Sequence, residues 1–233
     1  MQSSLFFDDF QQAIRFLLSG DSVLWEIIGL SLRVSLSALL LALLIGLPIA
    51  LLMTVSQFPG RALLRILIDS LMAFPPVVVG LIVYLLLSRN GPLGIWGLLY
   101  TPTAMIIAQT LLITPLVIAL ALPIFENHWR HLGEQLFMLG YRSTQCFGIL
   151  VHESRSGLAT VALAAFGRAI AEIGAVMVVG GNIEHHTRVM TTAIATETRQ
   201  GNLGLALALG LILILLALVI NALVHYCKPS NRL

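Results

Sequence analysis

Residues 166–183 read FGRAIAEIGAVMVVGGNI, from Phe166 to Ile183. The stretch is apolar enough to cross a membrane, yet Arg168 and Glu172 stand in its middle. A lone arginine at the bilayer centre costs about 2.5–3.5 kcal/mol on insertion scales. The two residues are four apart, so on one helix their side chains can meet. Pairing lowers the cost without removing it, so this face must look toward protein or water. Gly157, Ala164, Ala165, Gly167, Ala171, Gly174 and Ala175 surround the pair, and small residues let helix backbones approach closely. The pattern predicts a tightly packed inner helix over about Gly157–Gly181 that carries a buried ion pair.

The rest of the chain has the same character. Of 233 residues, 58% are hydrophobic and 10% charged, against roughly a quarter charged in soluble domains. That balance excludes a water-soluble globule. About 20 apolar residues cross a hydrocarbon core of roughly 30 Å, and five segments qualify: Leu24–Val55, Ala62–Ser88, Pro102–Phe125, Gly157–Gly181 and Leu203–Tyr226. Residues 24–227 are thus expected to form an all-α transmembrane domain. Ahead of it, over 1–23, Phe6, Phe10, Ile14 and Leu17 line one face of a helix too short to span, which should lie in the interface. Residues 228–233 form a short polar tail. Pro48, Pro75, Pro76, Pro115 and Pro123 fall inside spans, where each removes a backbone hydrogen bond and can kink its helix.

Basic residues bias short loops toward the cytoplasm. Arg61, Arg65, Arg130, Arg142, Arg155, Lys228 and Arg232 fall on one side, and Arg15, Arg89, Arg188 and Arg199 on the other. The asymmetry predicts an outside N-terminus and an inside C-terminus. Cys146 and Cys227 then lie on the reducing side, in keeping with no disulfide framework. No basic stretch opens the chain, so no cleavable signal peptide is expected.

No enzyme constellation stands out. Lys228 is the single lysine and no glycine-rich loop precedes it, so a phosphate-cradling P-loop is absent. Neither a Gly-x-Ser-x-Gly elbow nor a His-Glu-x-x-His helix occurs. The histidines, His128 and His131, His185 and His186, His152 and His225, have no carboxylate or thiol partners at ligand spacing, so no metal or other cofactor is expected. Nothing points to nucleic acid.

The loop 126–155 is the longest on the basic side. Trp129, Leu132, Leu136 and Leu139 recur at helical spacing, Gly140 interrupts, and Phe147, Leu150 and Val151 resume the stripe. That predicts helix, break, helix along the cytoplasmic face: either an interfacial hairpin or an element that docks into a partner's groove. The segment GEQLFMLGYRSTQCFGIL resembles the cytoplasmic loop of ABC importer permeases, in which Glu-Ala-Ala is followed after three residues by Gly. Glu134 and Gly140 match in type and spacing, while Gln135 and Leu136 replace the alanines. The stretch Phe166–Ile183 and FPPVVVG at 74–80 resemble molybdate and tungstate permeases, and Thr187–Gly201 is most similar to the tungstate branch.

The resemblance implies a type I ABC importer permease of five membrane helices that moves an oxyanion: tungstate, or alternatively molybdate or sulfate. It also implies a homodimer, two cytoplasmic ATPase subunits gripping the Glu134, Leu136 and Gly140 region, and an outside binding protein that delivers the anion. The chain itself would then be no enzyme. A bare Arg168 in the pathway would trap a dianion, which favours a structural role for its pair with Glu172. Gln109, Thr110 and Thr114 on the third span, and Asn182 at the outer end of the fourth, could line the pathway with neutral donors or simply bond helix to helix. A stand-alone secondary transporter is the rival reading, but such proteins carry internal repeats and none is visible. A membrane scaffold with no pathway is a further rival.

Overall fold

The computed structural model describes residues 11, 22–56, 58–139 and 143–227. Of the interfacial helix expected over 1–23, all but residue 11 and Ser22 and Val23, which open α1, lie outside the described residues, as do the tail 228–233, Gly140 and the side chains of Glu134 and Cys227. Among the described residues the chain forms nine α-helices and no strand: α1 (Ser22–Val55), α2 (Arg61–Met72), α3 (Pro76–Leu87), α4 (Pro102–Met138), α5 (Ser143–Glu153), α6 (Arg155–Ile170), α7 (Gly174–Gly180), α8 (Met190–Gln200) and α9 (Leu203–Cys227).

Helices α1 and α4 form the spine. They run side by side in the same direction, because Gly46 abuts Val117 while Thr54 and Glu126 share one cavity farther along. A Cβ on Gly46 would stand 2.8 Å from Val117 Cγ1, so that glycine sets the separation. At 34 and 37 residues the two helices are about 50–55 Å long, well beyond a hydrocarbon core. Pro48, Pro115 and Pro123 sit inside them without ending either one. The third span therefore does not stop at Phe125 but continues as one helix to Met138.

Two of the five expected spans are broken. Ala62–Ser88 reads as one run, yet α2 and α3 meet at 98°. The cause is the proline pair. Pro76 lacks an amide hydrogen and pushes Pro75 into extended backbone, φ −62° and ψ 124°. Pro76 then suits the first turn of α3. Gly157–Gly181 likewise divides into α6 and α7, bent by 55° at Ala171–Ile173. Among the described residues, only α1, α4 and α9 are long and apolar enough to cross singly; each bent pair can supply one more crossing.

The buried side chains fall into three groups. Ile113, Val117, Phe125, Leu150 and Val161 fill one end of the bundle, among α1, α4, α5 and α6. Val34, Val83, Met105, Val176 and Val179 fill the other, among α1, α3, α4 and α7. Ile27, Phe166, Met190 and Leu209 join α1, α6, α8 and α9. Outward, Leu40, Leu44, Leu81, Leu85, Ile214 and Leu218 are exposed, an apolar coat suited to lipid rather than water.

Candidate functional site

The break between α6 and α7 holds the two charges. Arg168 lies in the last turn of α6, which ends at Ile170, and Glu172 lies in the connection. Arg168 Nη1 lies 2.8 Å from Glu172 Oε2, and the other carboxylate oxygen accepts the Ala175 backbone N–H at 3.2 Å. The cation thus sits at the negative end of one helix and the anion at the positive end of the next, each complementing a helix dipole. The pair is not fully buried, as the sequence led one to expect. The Glu172 side chain is 4% exposed but that of Arg168 is 41% exposed. The bend turns the last turn of α6 outward, while the carboxylate tucks beneath α7.

Helices α3 and α7 cross tightly beside this break. A Cβ on Gly80 would come within 2.7 Å of Ala175 Cα, and one on Gly174 within 2.7 Å of Val77 Cγ2. Both broken spans therefore pack on each other next to their own bends.

The four candidate pathway residues are not brought together. Gln109 is buried; its Nε2 donates to the Ala169 carbonyl at 3.0 Å, while its Oε1 has no protein partner. It faces an enclosed polar cavity with Ser31, Ser35, Glu172 and Thr191, with room for about one water molecule. Thr110 and Thr114 point elsewhere. Their hydroxyls donate to the carbonyls of Ile106 and Thr110 at 2.7 and 2.6 Å. They line an apolar cavity of about 400 Å³ with Ile68, Leu71 and Phe74. Successive residues on a helix face different ways, so Gln109 and Thr110 look into different cavities. Asn182 adopts φ +50° and donates to Thr196 Oγ1 at 2.8 Å.

The loop after α7 is held by side chains. Thr187 is fully buried, donates to the Gly180 carbonyl at 2.6 Å and accepts the Ile183 N–H at 2.9 Å. His185 Nδ1 lies 2.8 Å from Glu26 Oε2, and that carboxylate holds the imidazolium above the usual histidine range. Arg188 lies 3.0 Å from Glu184 and 3.7 Å from buried Glu197. The helix that follows, α8, lies between the fourth and fifth expected spans, where the sequence predicts no helix. Its Thr191 hydroxyl donates to the Glu172 carbonyl at 2.9 Å, and the Met190 N–H bonds Ser31 Oγ at 2.7 Å. So α8 closes the polar pocket around the break.

At the opposite end, α4 carries Trp129, Leu132 and buried Leu136 beyond the apolar span. The chain resumes as α5, where Cys146 and Leu150 are fully buried. His128 Nδ1 lies 2.9 Å from the Ile124 carbonyl and 3.3 Å from Ser154 Oγ, which ties α4 to the α5–α6 junction.

Residues 20–233 match the family model described as binding-protein-dependent transport system inner membrane component. The chain belongs to this family. It is a multi-pass inner-membrane permease with the type I ABC importer fold. Among similar proteins is a probable anion ABC transporter permease of Haloferax volcanii, 44% identical over 85% of this chain and 88% of its own length. The tungstate uptake permease TupB of Peptoclostridium acidaminophilum is 40% identical over 94% and 96%. That of Campylobacter jejuni is 38% identical over 95% and 93%.

Proposed function

We propose that this permease is the membrane subunit of an ATP-driven importer whose cargo is tungstate. The observation that carries the reading is its likeness to two tungstate permeases along nearly the whole of both chains. The site chemistry agrees with a weak pathway for a tetrahedral dianion. Arg168 is neutralised by Glu172, so the break holds no unpaired guanidinium that would trap an oxyanion.

Two copies of the chain pack around the pathway in this reading. Two separate ATPase subunits grip the segment from Glu134 through Leu136 to Gly140 and hydrolyse ATP, while an outside binding protein selects the anion. Helix α4 is continuous from Pro102 to Met138, so a displacement at the coupling segment can reach Gln109 along one rod. The bends at Ala73–Pro75 and Ala171–Ile173 are where the packed spans can rearrange. The N-terminus lies outside and the C-terminus inside; labelling of Cys227 by an impermeant thiol reagent on intact cells would reverse that assignment.

Competition uptake in cells carrying the native binding protein tests the cargo. Excess tungstate should abolish uptake of labelled tungstate at lower concentration than molybdate or sulfate does. Stronger competition by molybdate would move the assignment to that anion. Uptake that persists without the ATPase subunit would overturn the importer itself.

A further inference from the structure

We propose that the cleft between the end of α1, the start of α2 and the outgoing part of α4 binds the phosphate of an anionic phospholipid headgroup. The cleft encloses about 600 Å³ and is lined by Thr54, Arg61, Arg65, Glu126, Trp129 and Arg130. Glu126 Oε1 lies 2.8 Å from Arg61 and 3.2 Å from Arg65. One carboxylate therefore orients two guanidiniums but balances only one, and Arg130 has no ion-pair partner among the described residues. The carboxylate is 15% exposed, whereas Arg61 and Arg65 are 32% and 47% exposed. The forks are held from behind and keep donors facing the cleft. Planar guanidiniums in such a fork suit a phosphate's oxygens.

The surroundings choose a lipid over a protein partner. The cleft stands at the end of the apolar stretch of α4 that closes with Phe125, so it lies at the depth of the headgroups. Trp129 forms one wall, a residue enriched at membrane interfaces. Next to the arginines, α2 exposes Leu63, Ile66 and Leu67, a surface along which acyl chains can lie. Basic pockets between membrane helices are a known lipid-headgroup chemistry. The inference does not depend on which anion is imported.

Native mass spectrometry of the purified permease with its ATPase subunits tests it, titrated with phosphatidylglycerol, phosphatidylcholine and inorganic phosphate in turn. Phosphatidylglycerol should bind well above phosphatidylcholine, and inorganic phosphate should not displace it at equal concentration. Replacing Arg65→Gln and Arg130→Gln should weaken phosphatidylglycerol binding roughly fivefold per arginine. Glu126→Gln removes the competing charge but keeps an amide oxygen that can still accept from Arg61 and Arg65, so it should leave binding unchanged or tighter; weaker binding would overturn the proposal. Equal binding of the two lipids overturns the proposal, as does binding that none of the arginine changes affects. Inorganic phosphate binding as tightly as phosphatidylglycerol would make this a free-anion site instead. Loss of the ATPase subunit from the arginine variants with lipid binding intact would make it a protein-docking face.

Discussion

At the residue scale, the pairing of Arg168 with Glu172 is asymmetric. Truncating Arg168 leaves a buried carboxylate held by one backbone N–H, whereas truncating both leaves no charge behind. Arg168→Ala should therefore destabilise the assembled complex by about 2 kcal/mol, below the ~3–5 kcal/mol of a fully buried pair because the guanidinium is partly exposed. The double change Arg168→Ala with Glu172→Ala should cost less than the first change alone. A double-mutant cycle on thermal unfolding of the complex measures the coupling, and simple additivity would show that the two act independently. His185 offers a second test. Its raised pKa arises from Glu26, so the contact contributes fully below the unfolded histidine value near ~6.5. It fades as pH rises through the higher folded value. Cross-linking between cysteines placed at Glu184 and Val23 should accordingly be faster at pH 6 than at pH 9 after correction for thiol ionisation. A His185→Gln variant should lose that residual dependence.

At the element scale, the apolar spans were legible because length and composition alone identify them. The breaks were legible only in part. Pro75-Pro76 announces an interruption, but a proline in a membrane helix need not end it, as Pro48, Pro115 and Pro123 lie inside unbroken helices here. Ala171–Ile173 carries no proline at all. Its available signal was Glu172 three residues ahead of Ala175, a spacing that lets a carboxylate cap a new helix start. Helix α8 was missed because MTTAIATETRQ is rich in threonine and reads as loop. Its hydroxyls are instead satisfied by backbone carbonyls: Thr196 bonds that of Thr192, Thr198 that of Ile194 and Thr191 that of Glu172 across the break. Pathway residues were the least legible, since facing direction depends on packing that composition does not encode. The α3–α7 crossing gives a prediction here. Gly80→Leu should force the helices apart at Ala175, because the obstructing atoms are backbone. Complex yield and transport should both fall sharply, whereas Gly210→Leu on α9, where a Cβ meets nothing within 4 Å, should be tolerated. Similar losses from both substitutions would sink the close-crossing account.

At the scale of the whole molecule, one long spine and two jointed spans divide the labour. Helices α1 and α4 are the two longest and pack on each other, and the jointed spans meet at Gly80 and Ala175 beside the polar pocket. The elbow between α2 and α3 has a consequence for the life of the protein in a cell. Ala73, Phe74 and Pro75 are exposed on the single chain. A bent, partly unpaired backbone has no stable place against hydrocarbon. A newly inserted copy should therefore be an orphan that membrane quality-control proteases recognise until the rest of the transporter assembles around it. Pulse-chase labelling should show a permease made without its ATPase decaying several times faster than one made with it. Equal half-lives would mean that the elbow is already sheltered within the lone chain.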